Sequence, residues 1–234
     1  MSNFIIINKK IKSFKKKILV PGDKSLSIRF VLFSAIATGT SIAYNLLISD
    51  DVISAINAIK KLGVKVILKK KYCKIFGKGI DGFKFKKNII INAGNSGTLA
   101  RLILGLLVNT PYPIKIIGDK SLSRRDFNRI TKPLSKFGAK FILNRNSGLP
   151  LKIFGSKNLI PIKYFEKKGS AQCKSSVIFA GMKTKGKTFI KAKKSRNHTE
   201  LLAKYLKLPI NIKNKKDFDL IEINKEKKIN PLNY

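Results

Sequence analysis

The chain has 234 residues, room for one large domain or two small ones, and carries 50 Lys+Arg against 12 Asp+Glu for a formal charge of +38. Hydrophobic residues at 44% exclude a disordered basic tail, and no apolar run reaches the ~20 residues that a membrane-spanning helix needs. Only seven of the fifty basic residues are Arg, and the Lys residues are spread along the whole chain. Dedicated nucleic-acid modules concentrate Arg and aromatics on one element, so no specific nucleic-acid partner is expected.

From the N-terminus, residues 1–20 place a short apolar run, Phe4–Ile7, ahead of Lys-rich sequence. A secretory signal has its charges first, so a cytoplasmic location is expected, with Cys73 and Cys173 as free thiols. Three glycine-led segments come next: Gly22-Asp-Lys-Ser25, Gly94-Asn-Ser-Gly97 and Gly169-Ser-Ala-Gln172. They stand 72 and 75 residues apart, and each precedes a stretch that is apolar nearly all round, at 27–37, 98–108 and 174–182. Helices of that kind are buried inside a domain. A second landmark keeps the same phase: Asp50-Asp51-Val52, Arg124-Arg125-Asp126 and Arg196-Asn197-His198 each open an amphipathic segment. In the first of these, Val52, Ile53, Ile56, Ile59 and Leu62 recur at helical spacing, with Ser49 or Asp50 as N-cap and Gly63 as stop. Alternating strands are expected after it, at 64–68 and 73–76.

Each unit therefore reads as strand, helix, strand, helix, strand, strand. The expected fold is one α/β domain of three βαβαββ-like repeats, at about 18–80, 88–156 and 159–225, with pseudo-threefold symmetry, helices inside and strands outside.

The start of a helix offers unpaired N–H groups and about half a positive charge, and Gly and Ser there let an anion reach the backbone. All three units have this composition. Lys24 and Lys174 add a cation to the first and third, while Arg29 and Arg101 lie one turn past Ser25 and Gly97 on the same face. Three such starts brought together make a concave site for multiply charged anions. His198, the only His, reads as a polar residue at a helix start, and no metal cluster, Ser-His-Asp triad or nucleotide loop can be assembled.

PGDKSLSIR (21–29), LLISDD (46–51), GNSGTLAR (94–101), GDKSLSRR (118–125), GSAQCKS (169–175) and SRNHTE (195–200) occur in this order along the chain. The series resembles the 5-enolpyruvylshikimate-3-phosphate synthase (3-phosphoshikimate 1-carboxyvinyltransferase) family. That resemblance implies transfer of the enolpyruvyl group of phosphoenolpyruvate to the 5-hydroxyl of shikimate 3-phosphate, a step of the shikimate pathway to aromatic amino acids, without metal or organic cofactor. It implies that Lys24, Ser25, Arg29, Ser170, Ala171, Gln172 and Ser195 or Arg196 hold shikimate 3-phosphate. Lys24, Gly97, Arg125 and Gln172 would hold phosphoenolpyruvate. Ile28, where a polar residue is usual, is expected to face away from the ligand, and Asp126, where Pro is usual, can pair with Arg125. Asn197 stands where Asp is common.

The family resembles two such lobes facing each other in a chain nearly twice as long. These residues look like the N-terminal lobe, 21–225, with 1–20 as a strand segment that packs on a second lobe and 226–234 as a crossover tail. The acid–base residues are expected on that second lobe, so activity of the isolated chain is doubtful. The competing readings are a non-catalytic remnant and a basic nucleic-acid-binding protein.

Overall fold

The computed structural model describes residues 6, 8–10, 13, 15, 18 and 20–233. The strand segment expected over 1–20 therefore falls mostly outside the described residues.

The first unit runs α1 (Lys24–Ile36), β1 (Thr38–Ala43), α2 (Asp50–Lys61), β2 (Lys65–Leu68) and β3 (Cys73–Lys78). In the second, β4 (Ile90–Asn92), α3 (Gly97–Leu106) and β5 (Ile114–Ile117) lead to a one-turn helix α4 (Lys120–Ser123). It continues with α5 (Asn128–Ser135), β6 (Lys140–Ile142) and β7 (Leu151–Phe154). The third has β8 (Lys163–Glu166), α6 (Ala171–Gly181), β9 (Thr188–Lys193), α7 (His198–Tyr205), β10 (Ile210–Asn214) and β11 (Phe218–Ile223). The third unit has the expected order, and the second adds only α4.

Three separate sheets result, in the orders β1-β3-β2, β4-β5-β7-β6 and β8-β9-β11-β10. In the last two, the first strand of the unit pairs parallel with the second, β4 with β5 and β8 with β9, and the other pairs are antiparallel. The equivalent slot beside β1 is taken by residues 229–233. The Thr38 N–H donates to the Ile229 carbonyl at 2.7 Å, the Ile42 N–H to the Leu232 carbonyl at 2.8 Å, and Ile42 and Asn233 form a parallel bridge. Ile229 and Leu232 are fully buried there. Residues 229–233, in the expected crossover tail, thus lie along β1, joined to it by backbone hydrogen bonds and one bridge without forming a regular strand.

The three apolar helices α1, α3 and α6 form the interior, each buried along most of its length because no face of it is polar enough to meet water. Phe33 of α1 and Phe179 of α6 meet with ring centroids 4.8 Å apart. At the crossing of α3 and α6, a Cβ on Gly105 would collide with the Ser176 carbonyl oxygen, so only glycine admits this approach. The Ser176 hydroxyl donates across the same crossing to the Arg101 carbonyl at 3.0 Å. That contact brings the start of α3 beside the start of α6. Ile28 is fully buried in α1 and so turns away from the helix start. Cys73 and Cys173 are buried free thiols, and burial raises Cys73 to about 11. Among the described residues, no helix is long and apolar enough to cross a membrane.

Candidate active site

The three interior helices begin with side-chain caps, which settle one N–H each and leave neighbouring N–H groups for other partners. Asp23 Oδ1 accepts the Leu26 N–H at 2.7 Å, Ser96 Oγ the Leu99 N–H at 3.3 Å, and Ser170 Oγ the Cys173 N–H at 3.2 Å.

Gly97 is the first residue of α3. A Cβ there would stand 2.9 Å from Arg125 Nη1 and 3.0 Å from Arg101 Nη1, so two guanidinium groups converge over the start of this helix. Arg125 Nη2 also donates to Asn95 Oδ1 at 3.3 Å. Burial lowers the Arg101 pKa, and repulsion from Arg125 lowers it further. Two like charges beside a helix N-terminus repel unless an anion joins them, which makes the place an anion receptor by composition. Asp126 favours the Arg101 cation only from a distance. Its Oδ1 accepts the Asn128 N–H at 2.8 Å at the start of α5, and among the described residues it forms no ion pair with Arg125.

Arg29 occupies the junction of α1, α6 and α7 and is 3% exposed. Its Nε donates to Thr199 Oγ1 at 2.7 Å, Nη1 to the Ser25 carbonyl at 3.0 Å and Nη2 to Ser175 Oγ at 3.2 Å. The Thr199 hydroxyl donates onward to Ser175 Oγ at 2.7 Å, and that hydroxyl to the Ala171 carbonyl at 2.6 Å. Three of the five guanidinium N–H groups are thereby used and two remain. Burial brings Arg29 down to about 10, with Glu200 opposing the shift, so it is a cation at neutral pH.

Beside it opens a cavity of about 380 Å³ lined by Ser25, Arg29, Thr98, Gly169, Ser170, Ala171, Gln172, Ser195, Arg196 and His198. All three units contribute, and none of these residues is acidic. Gln172 joins the cavity to the arginines of α3: its Oε1 accepts from Arg101 Nη1 at 2.8 Å and its Nε2 donates to Thr98 Oγ1 at 3.0 Å. Ser195 Oγ and His198 Nδ1 are shielded from solvent and have no hydrogen-bond partner among the described residues.

Of the residues picked out by sequence, Ser25, Arg29, Ser170, Ala171, Gln172, Ser195 and Arg196 meet in this one cavity, with Gly97 and Arg125 together beside Arg101. Lys24 stands apart from the lining. Its side chain is 54% exposed and its Nζ lies 3.0 Å from Asp51 Oδ2. Lys174 corrects the expectation of a second cation at a helix start. It is fully buried behind the site, with Nζ 2.5 Å from Glu200 Oε1 and 3.9 Å from Asp219 Oδ2. Thr98 was not anticipated, although it directly succeeds Gly97. His198, read as a polar residue at a helix start, both opens α7 and lines the cavity.

Residues 8–233 match the family model described as EPSP synthase (3-phosphoshikimate 1-carboxyvinyltransferase). The chain belongs to the EPSP synthase family. The 3-phosphoshikimate 1-carboxyvinyltransferase of Sulfurihydrogenibium sp. is 39% identical over 227 residues, covering 96% of this chain and 52% of that protein. A Streptococcus agalactiae protein of the same name is 41% identical over 205 residues, covering 87% and 48%. The solved structure of EPSP synthase from Acinetobacter baumannii superposes with a TM-score of 0.86 at 33% identity, over 94% of this chain and 49% of that one. The chain spans about half the length of the curated relatives it matches. Both its family and its α/β fold with buried helices agree with the resemblance carried by the six motifs.

Proposed function

We propose that the chain is the substrate-binding N-terminal lobe of an enzyme that transfers the enolpyruvyl group of phosphoenolpyruvate to the 5-hydroxyl of shikimate 3-phosphate. The carrying observation is the carboxylate-free cavity into which Ser25, Arg29, Ser170, Gln172 and Arg196 converge from two units, with Arg101 and Arg125 beside it. Both substrates carry a phosphate and a carboxylate, about −2.5 to −3 in charge each near neutral pH, and an acid-free cationic site suits them.

In this reading, shikimate 3-phosphate occupies the cavity. Its phosphate meets Ser170, Ala171, Gln172 and Ser195 or Arg196, and its ring lies toward Ser25 and the two free N–H groups of Arg29. Phosphoenolpyruvate lies over Gly97, where Arg125 forks onto phosphate or carboxylate and Gln172 touches both ligands. Lys24 swings from Asp51 to reach them, which its exposure permits.

The transfer forms a C–O bond between the 5-oxygen and C2 of the enolpyruvyl group. As it forms, a base takes the 5-hydroxyl proton and an acid gives one to the methylene; the C2–O bond to phosphate then breaks while the resulting methyl group returns a proton, releasing phosphate. Each proton step needs a placed acid or base, worth ~10²–10⁴ in rate. No carboxylate lines the cavity, so a second lobe would supply those groups and close over the site. A phosphate-release assay with both substrates tests this. The isolated chain should release no measurable phosphate, and adding a second lobe should restore turnover that Arg125→Ala abolishes. Robust turnover by the chain alone would overturn the division of labour.

A further inference from the structure

Glu166 ends β8 and is 3% exposed, a position where a carboxylate persists only if its oxygens are satisfied. Its Oε2 accepts the Ser170 N–H at 2.8 Å and its Oε1 accepts the Lys168 N–H at 3.2 Å. One side chain thus grips two amides of the turn that delivers the chain into α6. Within that turn Gly169 has φ of +67°, a conformation held against the preference of most residues. The consequences reach the cavity in two steps. Ser170, fixed through its own N–H, caps α6 at Cys173, and residues 169–172 form one wall of the cavity.

Glu166 also faces the second unit. Arg129 Nη2 of α5 lies 3.8 Å from Glu166 Oε1, and Arg129 is close enough to Arg101 to act on its charge. The same carboxylate therefore touches the turn behind Ser170 and a cation beside the arginines over Gly97.

We propose that Glu166 is a positioning residue for the anion site, holding the 167–170 turn so that Ser170, Ala171 and Gln172 present one preset surface to the ligand. Glu166 is not among the residues that line the cavity. The inference rests on the reading of this cavity as the shikimate 3-phosphate site, and the test keeps the two separable.

The test is calorimetric titration of the full chain with shikimate 3-phosphate, with amide hydrogen exchange measured on the same samples. Glu166→Gln keeps the shape but can accept at only one oxygen, and it should weaken binding by about tenfold to hundredfold, as small misplacements of binding groups do. Exchange at Lys168 and Ser170 should quicken while the α1 and α3 amides stay protected, a local signature that general destabilisation would not give. Glu166→Asp retains the charge but is a methylene shorter, so it should recover part of the affinity. Should Glu166→Gln not fold, the Asp variant carries the test, with weakened binding still required. Lys167→Ala removes a side chain of the same turn that lies over the Phe165 ring at 5.5 Å, and it should bind as the parent does. Unchanged affinity in the folded Glu166 variants overturns the positioning role. A parent chain that does not bind shikimate 3-phosphate overturns the ligand reading, and quickened exchange at Lys168 and Ser170 in Glu166→Gln would then still support the grip on the turn.

Discussion

The hexapeptide Gly-Asp-Lys-Ser-Leu-Ser occurs twice, at 22–27 and at 118–123, and the two copies have different fates. Each starts a helix in the same way, with Asp23 accepting from the Leu26 N–H and Asp119 from the Leu122 N–H, both at 2.7 Å. The first copy runs on as α1 for 13 residues, while the second stops after the four of α4. Beyond the first copy come Ile28, Phe30, Val31, Leu32 and Phe33, all buried; beyond the second come Arg124, Arg125 and Asp126, all exposed. The cap decides where a helix begins, and burial of the residues after it decides how far the helix goes. Function divides along the same line. Ser25 lines the cavity and Arg29 is locked beneath it, whereas α4 carries no cavity residue and serves to deliver Arg125 to Gly97.

The largest expected contrast is between the two leucines. Leu122 is 0% exposed and Leu26 is 41% exposed, so Leu122→Ala should cost about 2–5 kcal/mol in urea unfolding and Leu26→Ala within about 0.5 kcal/mol. Equal losses would break the comparison.

Next come the arginines. Arg29→Lys keeps a charge but forfeits the three-way grip on Thr199, Ser175 and Ser25, and should weaken shikimate 3-phosphate binding by roughly a hundredfold in calorimetry. Arg125→Lys should leave that binding within a few-fold when phosphoenolpyruvate is absent. Burial lowers Arg29 to about 10, which leaves it a cation from about pH 7 to 9, so shikimate 3-phosphate affinity should stay flat across that range in calorimetry; a drop there would contradict an arginine-held site.

The caps come third. Asp23→Ala and Asp119→Ala should each cost about 1 kcal/mol, but only the second should displace Arg125, since α4 has no length of buried helix to hold it. The comparison is read in the Arg125 side-chain NMR signals. Smallest is Lys24→Ala, whose exposed pair with Asp51 should be worth no more than about 1 kcal/mol to stability.

Much of this was legible in the sequence because it is written locally. The apolar 27–37, 98–108 and 174–182 stretches announce buried helices, and the glycine-led starts keep register across the repeats. The features that were not legible depend on partners distant in the chain. Lys174 turns inward because Glu200 and Asp219 wait behind it, and nothing adjacent to Lys174 says so. Residues 229–233 reach β1 through backbone hydrogen bonds and one bond to Ser41 Oγ, with partners about 190 positions away in the chain, and through the burial of Ile229 and Leu232. The convergence of Arg101 and Arg125 on Gly97 comes from how α3 and α4 are packed, so spacing alone could place Arg101 on a face but not against its neighbour.

The most direct test of the account is an amide shift map of the labelled chain titrated with shikimate 3-phosphate. The first Gly-Asp-Lys-Ser-Leu-Ser copy should respond, at Ser25 through Arg29, together with Ser170–Gln172 and Ser195–His198, while Lys120–Ser123 of the second copy stays still. Equal responses in the two copies, or shifts scattered over the lysines of the outer sheet faces, would contradict it.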